Sequence, residues 1–373
     1  MPILLTQESL TQALMLADLS DARYGQHAMQ LMLKDIHSAL AQQWQCRRQL
    51  VRTSPVVPLE NNYDRLGYPS DGAARDARYT RYVSERLILR TQTSCAIPDL
   101  LAGLSIDPPK DLLLVLPGLV YRRDSIDRLH CGEPHQLDLW RIVDKHSGLK
   151  MDYQQLEQMI ATVMQAAVPE MPWRIIASPH PYTEQGVQID VLWQDEWVEV
   201  GECGLAARHI LDQANLTEHT GLAMGLGLDR LLMLRKNIPD IRLLRNQDVR
   251  VKAQMQDLSP YQPVSLMPAI RRDLSLSVEQ SLNEEQIGDI LRQQLPDVAS
   301  IESLTVKAET PYEDLPAAAH KRMGMLPGQK NVLLELVIRH IDKTLTDEQA
   351  NDIRNKVYKL LHQGDVMELA VNS

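Results

Sequence analysis

Residues Tyr121 to Trp140, YRRDSIDRLHCGEPHQLDLW, form a charged segment set between two apolar runs. The run before it, Asp111 to Val120, reads DLLLVLPGLV, and apolar sequence resumes at Leu137. Both runs are short and apolar enough for buried strands, so the pattern predicts strand, long loop, strand. A loop that only turns a hairpin would be shorter and rich in Gly, Asn or Asp. This one gathers Arg122, Arg123, Asp124, Asp127, Arg128, His130, Glu133, His135, Gln136 and Asp138. Guanidinium groups suit bidentate contact with phosphate, and a carboxylate beside an amide can cradle an ammonium. The chemistry points to a polyphosphate together with an amino-bearing ligand, and a solvated, salt-bridged hairpin is the plainer alternative.

With 373 residues, 44% hydrophobic and 24% charged, the composition is that of an ordinary soluble chain of two domains. Apolar runs fall short of membrane-spanning length and MPILLTQESL lacks a signal-peptide core, so a cytoplasmic location is expected. Cys46, Cys95, Cys131 and Cys203 are scattered without a Cys-x-x-Cys pair, which suggests reduced thiols and no metal knuckle. The net charge of −10 argues against nucleic-acid binding by the surface as a whole, so any RNA contact needs a local basic face. The chain has no Phe at all, where ordinary usage would give on the order of a dozen. Leu, Tyr and 15 Met must fill the core instead.

Along the chain, Leu14 to Trp44 has a mostly helical apolar spacing, and Ser147 to Val168 reads as helix-rich packing. Val187 to Trp193 alternates as a strand after Ser178-Pro-His-Pro-Tyr-Thr183, and Trp197 to Gly204 is a strand ending in small residues. Gly221 to Leu234 runs from a glycine-rich strand into an apolar helix. Gln247 to Pro263 is polar and proline-containing, a linker composition. Beyond it the expected order is strand 269–278, helix 281–295, strand 300–307, strand 331–340, helix 346–362 and strand 365–371. Ser281-x-x-Glu284 and Thr346-x-x-Gln349 serve as capping-box starts. That βαββαβ order is the ferredoxin-like pattern.

The Tyr121–Trp140 loop resembles motif 2 of class II aminoacyl-tRNA synthetases in the form found in phenylalanyl-tRNA synthetases, and the resemblance extends over most of the chain. Leu89-Arg-Thr-Gln-Thr-Ser94 is similar to that family's Leu-Arg-Thr-His-Thr-Ser, with Gln92 for His. His180-Pro-Tyr-Thr183 stands where the family has Phe-Pro-Phe/Tyr-Thr, Gln188 stands for a Glu, and Asp71-Gly-Ala-Ala-Arg75 for an Asp-His-Pro-x-x-Arg-like turn. Gly221 to Arg230 resembles motif 3, and the helix and strand near the N-terminus motif 1. The C-terminal segment resembles the anticodon-binding domain of single-chain, organelle-type members. The resemblance implies an α+β fold, with an antiparallel catalytic sheet flanked by helices over residues 1–255 and a ferredoxin-like domain over 256–373.

It also implies an ATP- and Mg2+-dependent ligase acting on an amino acid and a tRNA, as a monomer or homodimer. By position, Arg122, Asp124, His130, Gly227 and Arg230 would bind ATP, with Arg122, His130 and Arg230 catalytic. Gln92, Ser94, Gln136, Asp138, His180, Tyr182, Gly204 and Ala223 would line the amino-acid pocket. Residues 261–373 hold 12 Lys and Arg against 17 Asp and Glu, which weakens the case for tRNA as partner. Family Phe positions hold Tyr63, Pro134, His180, Leu222, Met224 and Leu244, which suggests a backup or resistance synthetase for phenylalanine or a close analogue, unless the sequence was redesigned without Phe. Two rival readings are a paralogue that adenylates an amino acid for another acceptor, and a non-catalytic amino-acid or tRNA sensor. Retention of Arg122, His130 and Arg230 argues against the sensor.

Overall fold

The computed structural model describes residues 4–71, 75, 79–264, 267–341 and 343–367. Backbone contacts divide the chain into two units. The first is Met1–Arg122, Glu133–Pro239 and Lys252–Tyr261; the second is Arg123–Gly132, Asp240–Val251 and Gln262–Ser373. The division is not a single cut, because ten residues of the charged loop cluster with the C-terminal segment: Ile126 enters that segment's core and its carbonyl accepts the Leu304 N–H at 2.8 Å.

In the first unit the chain runs through helices α1 (Gln7–Met15) and α2 (Ala28–Trp44), strands β1 (Arg47–Leu50) and β2 (Val56–Pro58), α3 (Leu59–Asn62), β3 (Leu87–Leu89) and α4 (Ile97–Leu104). It continues through β4 (Asp111–Leu119), β5 (His135–Asp144), α5 (Tyr153–Ala167), β6 (Trp173–Ala177), β7 (Thr183–Trp193), β8 (Glu196–Ala206), α6 (Arg208–Gln213), β9 (His219–Gly227) and α7 (Leu228–Lys236). Seven strands form one sheet in the order β1-β4-β5-β9-β8-β7-β6. Within it the β1–β4 pair is parallel and the other pairs are antiparallel. β4 is buried on both faces from Leu112 onward, as expected of a strand inside a sheet covered on both sides. One face packs against α4 and α6 through Leu112, Leu114, Leu116, Trp140, Ile142 and Ala223. Helices α2, α5 and α7 pack together and against β5 and β8. Fully or nearly fully buried Met29, Met32, Met159, Met164, Met224 and Met233 come from α2, α5, β9 and α7, flexible thioethers in a core that has no Phe.

The helix expected over Leu14–Trp44 is broken between Leu16 and His27. Asp18 Oδ1 takes the Ser20 N–H at 2.9 Å and Asp21 Oδ1 takes the Arg23 N–H at 3.0 Å, side-chain acceptors that displace the helical ladder. Gly72, Ala73 and Ala74 of the Asp71–Arg75 turn lie outside the described residues.

α8 (Val249–Gln254) spans the linker composition. The second unit continues with β10 (Ile270–Glu279), α9 (Glu284–Gln294), β11 (Ile301–Pro311), α10 (Ala317–Met323), β12 (Gln329–Ile338) and α11 (Asp347–Leu361). Its sheet is antiparallel in the order β10-β12-β11, with β12 central as the third strand of a ferredoxin-like unit should be. Asn283 and Gln286, not Ser281 and Glu284, form the capping box of α9, because the chain first turns at Glu279–Leu282. Thr346 and Gln349 cap α11 as expected. Of the strand expected over 365–371, Asp365 to Met367 are not in a strand, with the Asp365 N–H donated to Gly324 O at 3.0 Å, and 368–371 lie outside the described residues.

Gly201 on β8 shows how tightly the catalytic-type sheet is built. A Cβ there would overlap the Gly225 carbonyl oxygen and lie 2.7 Å from Leu226 Cδ2. Gly201→Ala should therefore destabilise the protein by about 1–3 kcal/mol in denaturant titration; an unchanged midpoint would show that β8 and β9 can move apart freely.

Candidate functional site

Strands β5 and β9 pair so that Gln136 lies opposite Gly227, Asp138 opposite Gly225 and Trp140 opposite Ala223. A row of polar and aromatic side chains thus stands beside a row with almost none. From the point a Cβ on Gly225 would occupy, the nearest outside atom is Asp138 Oδ1 at 3.5 Å; above Gly227 it is Val200 O at 3.8 Å. The result is a trough along the sheet face with Asp138 in its wall.

Asp138 is 1% exposed. Its Oδ2 accepts the Trp140 indole N–H at 2.9 Å, while the buried Oδ1 has no hydrogen-bond partner. Burial pushes the carboxyl up to about 7, against the opposing pull of the Ser94 hydroxyl and the Trp140 N–H. An acid held this way lacks a cation, and a ligand ammonium would supply one. Ser94 is buried in the short helical turn Thr93–Ala96. Gln92, at the start of that turn, accepts the Tyr68 O–H at 3.1 Å and donates to Asn62 O at 2.8 Å.

From Asp138 an aromatic wall leads away along the face. The Tyr182 ring lies 6.3 Å from Trp140, 6.4 Å from Tyr68 and 6.1 Å from His180, stacked on Trp140 and His180. Burial drives the Tyr182 phenol well above its ordinary value and the Tyr68 phenol to about 12, so both stay protonated donors. At the far end His180 Nε2 meets Glu202 Oε2 at 3.0 Å. The β7–β8 pairing is bulged between Glu184 and Val187, with Gln185 at φ +53°, and the register resumes with Val187 opposite Cys203, which sets Gln188 opposite Glu202. Bulges of this kind re-aim side chains beside functional sites.

Cations stand on the same unit. Arg122 Nε donates to Thr91 O at 2.8 Å, and its charge reaches Tyr68, Tyr182 and Glu199. Arg230, in the first turn of α7, donates to Glu199 O at 3.1 Å. Burial raises the Glu199 carboxyl, Arg230 pulls it down, and Glu202 and Asp190 push it up again.

The structure therefore brings together Gln92, Ser94, Arg122, Asp138, His180 and Tyr182, with Gln136, Ala223, Gly227 and Arg230 on adjoining positions of the same sheet and helix. Gly204 departs from expectation: the space above it holds Thr183, whose Cβ is 2.7 Å from the point a Cβ on Gly204 would occupy, so its smallness serves strand packing. Asp124 and His130 belong to the second unit. There Arg292 donates to the carbonyls of Asp124 and Ser125, and His130 Nδ1 pairs with Asp127 Oδ2 at 2.6 Å.

The salt-bridged reading of the loop is realised in part. His135 is buried between the Leu19 N–H and Asp229, Glu133 pairs with Arg81, and Arg123 lies 3.4 Å from Asp289. Tyr68, Thr183, Glu202 and Gly225 were not singled out from sequence. Tyr68 sits in an irregular loop and Glu202 on a strand whose bulged partner cannot be read from alternation; the out-of-pattern acid after Gly201 was the one available signal.

Comparison with known proteins fits this geometry. The family model for the tRNA synthetases class II core domain (F) matches residues 17–255. A probable mitochondrial phenylalanine–tRNA ligase of Drosophila melanogaster is 25% identical over 359 residues, covering 82% of this chain and 75% of that protein. The chloroplastic/mitochondrial phenylalanine–tRNA ligase of Arabidopsis thaliana is 28% identical over 318 residues, 82% of this chain and 68% of its own length. The phenylalanine–tRNA ligase alpha subunit of Prochlorococcus marinus (strain MIT 9313) is 36% identical over 207 residues, 55% of this chain and 59% of the subunit.

Because the Asp138 carboxyl titrates higher in the fold than its ordinary 3.8, its contribution is most favourable below that value and is lost as pH rises through about 7. Relative to Asp138→Asn, the ligand-free protein should lose stability between about pH 4 and pH 7, by at most about 4 kcal/mol, and the difference should stay level above. Parallel pH profiles for the two proteins would refute the buried, cation-free carboxyl.

Proposed function

We propose, from the premise that this chain belongs to the class II core family of tRNA synthetases and is an aminoacyl-tRNA ligase, that it activates phenylalanine or a close analogue and transfers it to tRNA. The observation that carries this reading is Asp138: a fully buried carboxylate, one oxygen without a partner, over the open Gly225 backbone and within an aromatic wall. An aromatic amino acid answers both features. Its α-ammonium would satisfy Asp138 and Gln136, and its ring would lie along Tyr182.

In the proposed reaction the substrate carboxylate attacks the α-phosphorus of ATP, the bond to the β-phosphate oxygen breaks, and pyrophosphate leaves. Arg122 would stabilise the charge that builds on the α-phosphoryl oxygens, and Arg230 would hold the terminal phosphate. A hydroxyl of the tRNA's terminal ribose then attacks the acyl carbon and AMP departs. No covalent enzyme intermediate is required; orientation and fixed charge carry the rate. Among the described residues no group of three His, Cys, Asp or Glu could hold a metal by itself. Magnesium would be bound chiefly by the ATP phosphates and water, with one or two carboxylates. Glu199 is the carboxylate that would gain from it, and the ion would supply neutralisation of phosphate charge. Asp124 and His130 are assigned no role in this scheme.

The Phe-free composition supports a backup or resistance role. A chain with no Phe can be completed when phenylalanyl-tRNA is scarce or mischarged.

Amino-acid-dependent exchange of pyrophosphate into ATP should occur and should fall about 100- to 1,000-fold in Arg122→Ala. Exchange without subsequent tRNA charging would redirect the function to another acceptor, and equal exchange in both proteins would exclude the assigned role of Arg122. In a translation system depleted of phenylalanine this chain should accumulate to full length; truncation there would remove the backup role.

A further inference from the structure

Asn62 closes α3 and is fully buried. Three hydrogen bonds join it to Thr91 and Gln92. Its Oδ1 accepts the Thr91 N–H at 3.1 Å, its Nδ2 donates to Thr91 Oγ1 at 2.8 Å, and its carbonyl accepts from Gln92 Nε2 at 2.8 Å. These partners dictate how the amide is turned: a backbone N–H can only donate, so Oδ1 faces it and Nδ2 faces the hydroxyl. The peptide between Thr91 and Gln92 is thereby gripped on both sides. Its carbonyl, Thr91 O, takes the Arg122 Nε–H at 2.8 Å.

That bond alone orients the Arg122 side chain. Among the described residues neither terminal nitrogen of its guanidinium has a hydrogen-bond or ion-pair partner. The main chain of Arg122 is fixed separately, its carbonyl accepting from Arg81 Nη2 at 3.0 Å. A guanidinium is planar and rigid, so a bond at Nε constrains where the fork of its two terminal nitrogens can point. The fork is the part that suits a phosphoryl group. Its aim therefore depends on the direction of Thr91 O, and that direction depends on the Asn62 amide. The amino-acid side is reached differently. Gln92, which accepts the Tyr68 O–H at 3.1 Å, is held by the Asn62 main-chain carbonyl, so shortening the Asn62 side chain leaves that bond in place.

We infer that Asn62 is a positioning residue for the activation step: its side-chain amide, acting through Thr91, aims the Arg122 fork at the α-phosphoryl group of ATP. This rests on the reading of Arg122 as the group that stabilises charge there, and names the residue on which that role depends.

The test is a double-mutant cycle in pyrophosphate exchange, using the full chain, Asn62→Ala, Arg122→Ala and the double variant, each assayed below the onset of its melting transition. Asn62→Ala should lower kcat by about 10- to 100-fold, because a displacement of about 1 Å is enough to cost a catalytic group that much. The KM for ATP should change less, since the contact strengthens as charge builds in the transition state. In the Arg122→Ala background the same substitution should cost at most about 3-fold, because the group it aims is gone. Thr91→Val, which removes the hydroxyl that Asn62 Nδ2 bonds, should lower kcat by about 10-fold, and Thr91→Ser should recover most of that loss. A purely structural role for Asn62 would lower exchange by the same factor with and without Arg122. That result overturns the inference and leaves the synthetase reading intact. If Asn62→Ala does not fold, Thr91→Val in the two backgrounds makes the same comparison. Absence of exchange in the unaltered chain with phenylalanine, its analogues and every standard amino acid removes both readings.

Discussion

The register between β5 and β9 is the constraint on which the site depends. It sets Asp138 against Gly225 and Trp140 against Ala223, so that a polar, aromatic strand stands beside one that leaves space. Side chains alternate along a strand, and a slip of one residue would turn Leu137, Leu139 and Arg141 into the trough and Asp138 into the opposite face. The sheet guards against this on both sides. Leu112, Leu114 and Leu116 with Trp140 are buried under α4 and α6, and α2, α5 and α7 pack together and against β5 and β8. The buried pair His135–Asp229 ties the first residue of β5 to the first turn of α7, which fixes the strand's phase at the end where the site lies.

Stability and function pull in opposite directions at this place. An unsatisfied carboxylate oxygen, an imidazole nitrogen and a hydroxyl, all buried, each weaken the ligand-free fold. The burial of the surrounding sheet offsets their cost. Cys95 and Cys203 in the same region are held as neutral thiols, raised to about 12 by burial, which keeps thiolate chemistry out of the site. Methionine takes much of the volume that phenylalanine supplies in other cores. Its flexible side chain fits irregular gaps between α2, α5 and the sheet, so the loss of one amino-acid type is absorbed without a change of architecture.

Much of the architecture could be read from sequence because it depends on local periodicity. The continuous apolar run of β4, the long charged connection to β5, the glycine-rich strand leading into α7 and the Thr346 capping box all follow from short-range pattern. The misreadings have local causes too. Asp18 and Asp21 divide a helical pattern by binding backbone N–H groups, and Asn283 caps α9 two residues later than Ser281 would. Both are contests between side-chain and main-chain partners that periodicity does not register.

By itself, the sequence determined the kind of chemistry: guanidinium groups for phosphate, a carboxylate and an amide for an ammonium, rings for an aromatic side chain, and their order along the chain. Only the tertiary structure decided which of these groups meet. It withdrew His135, Glu133 and Arg123 into structural pairs, placed Asp124 and His130 in a different unit, and set Glu202 on His180 and Tyr68 on Gln92. The reason is physical. What a residue type can bond is a property of its own atoms, whereas whether it has a partner depends on strands distant in sequence and on bulges that shift their register by a residue. The unfilled atoms at Asp138, His180 and Thr183 exist only once those strands are paired.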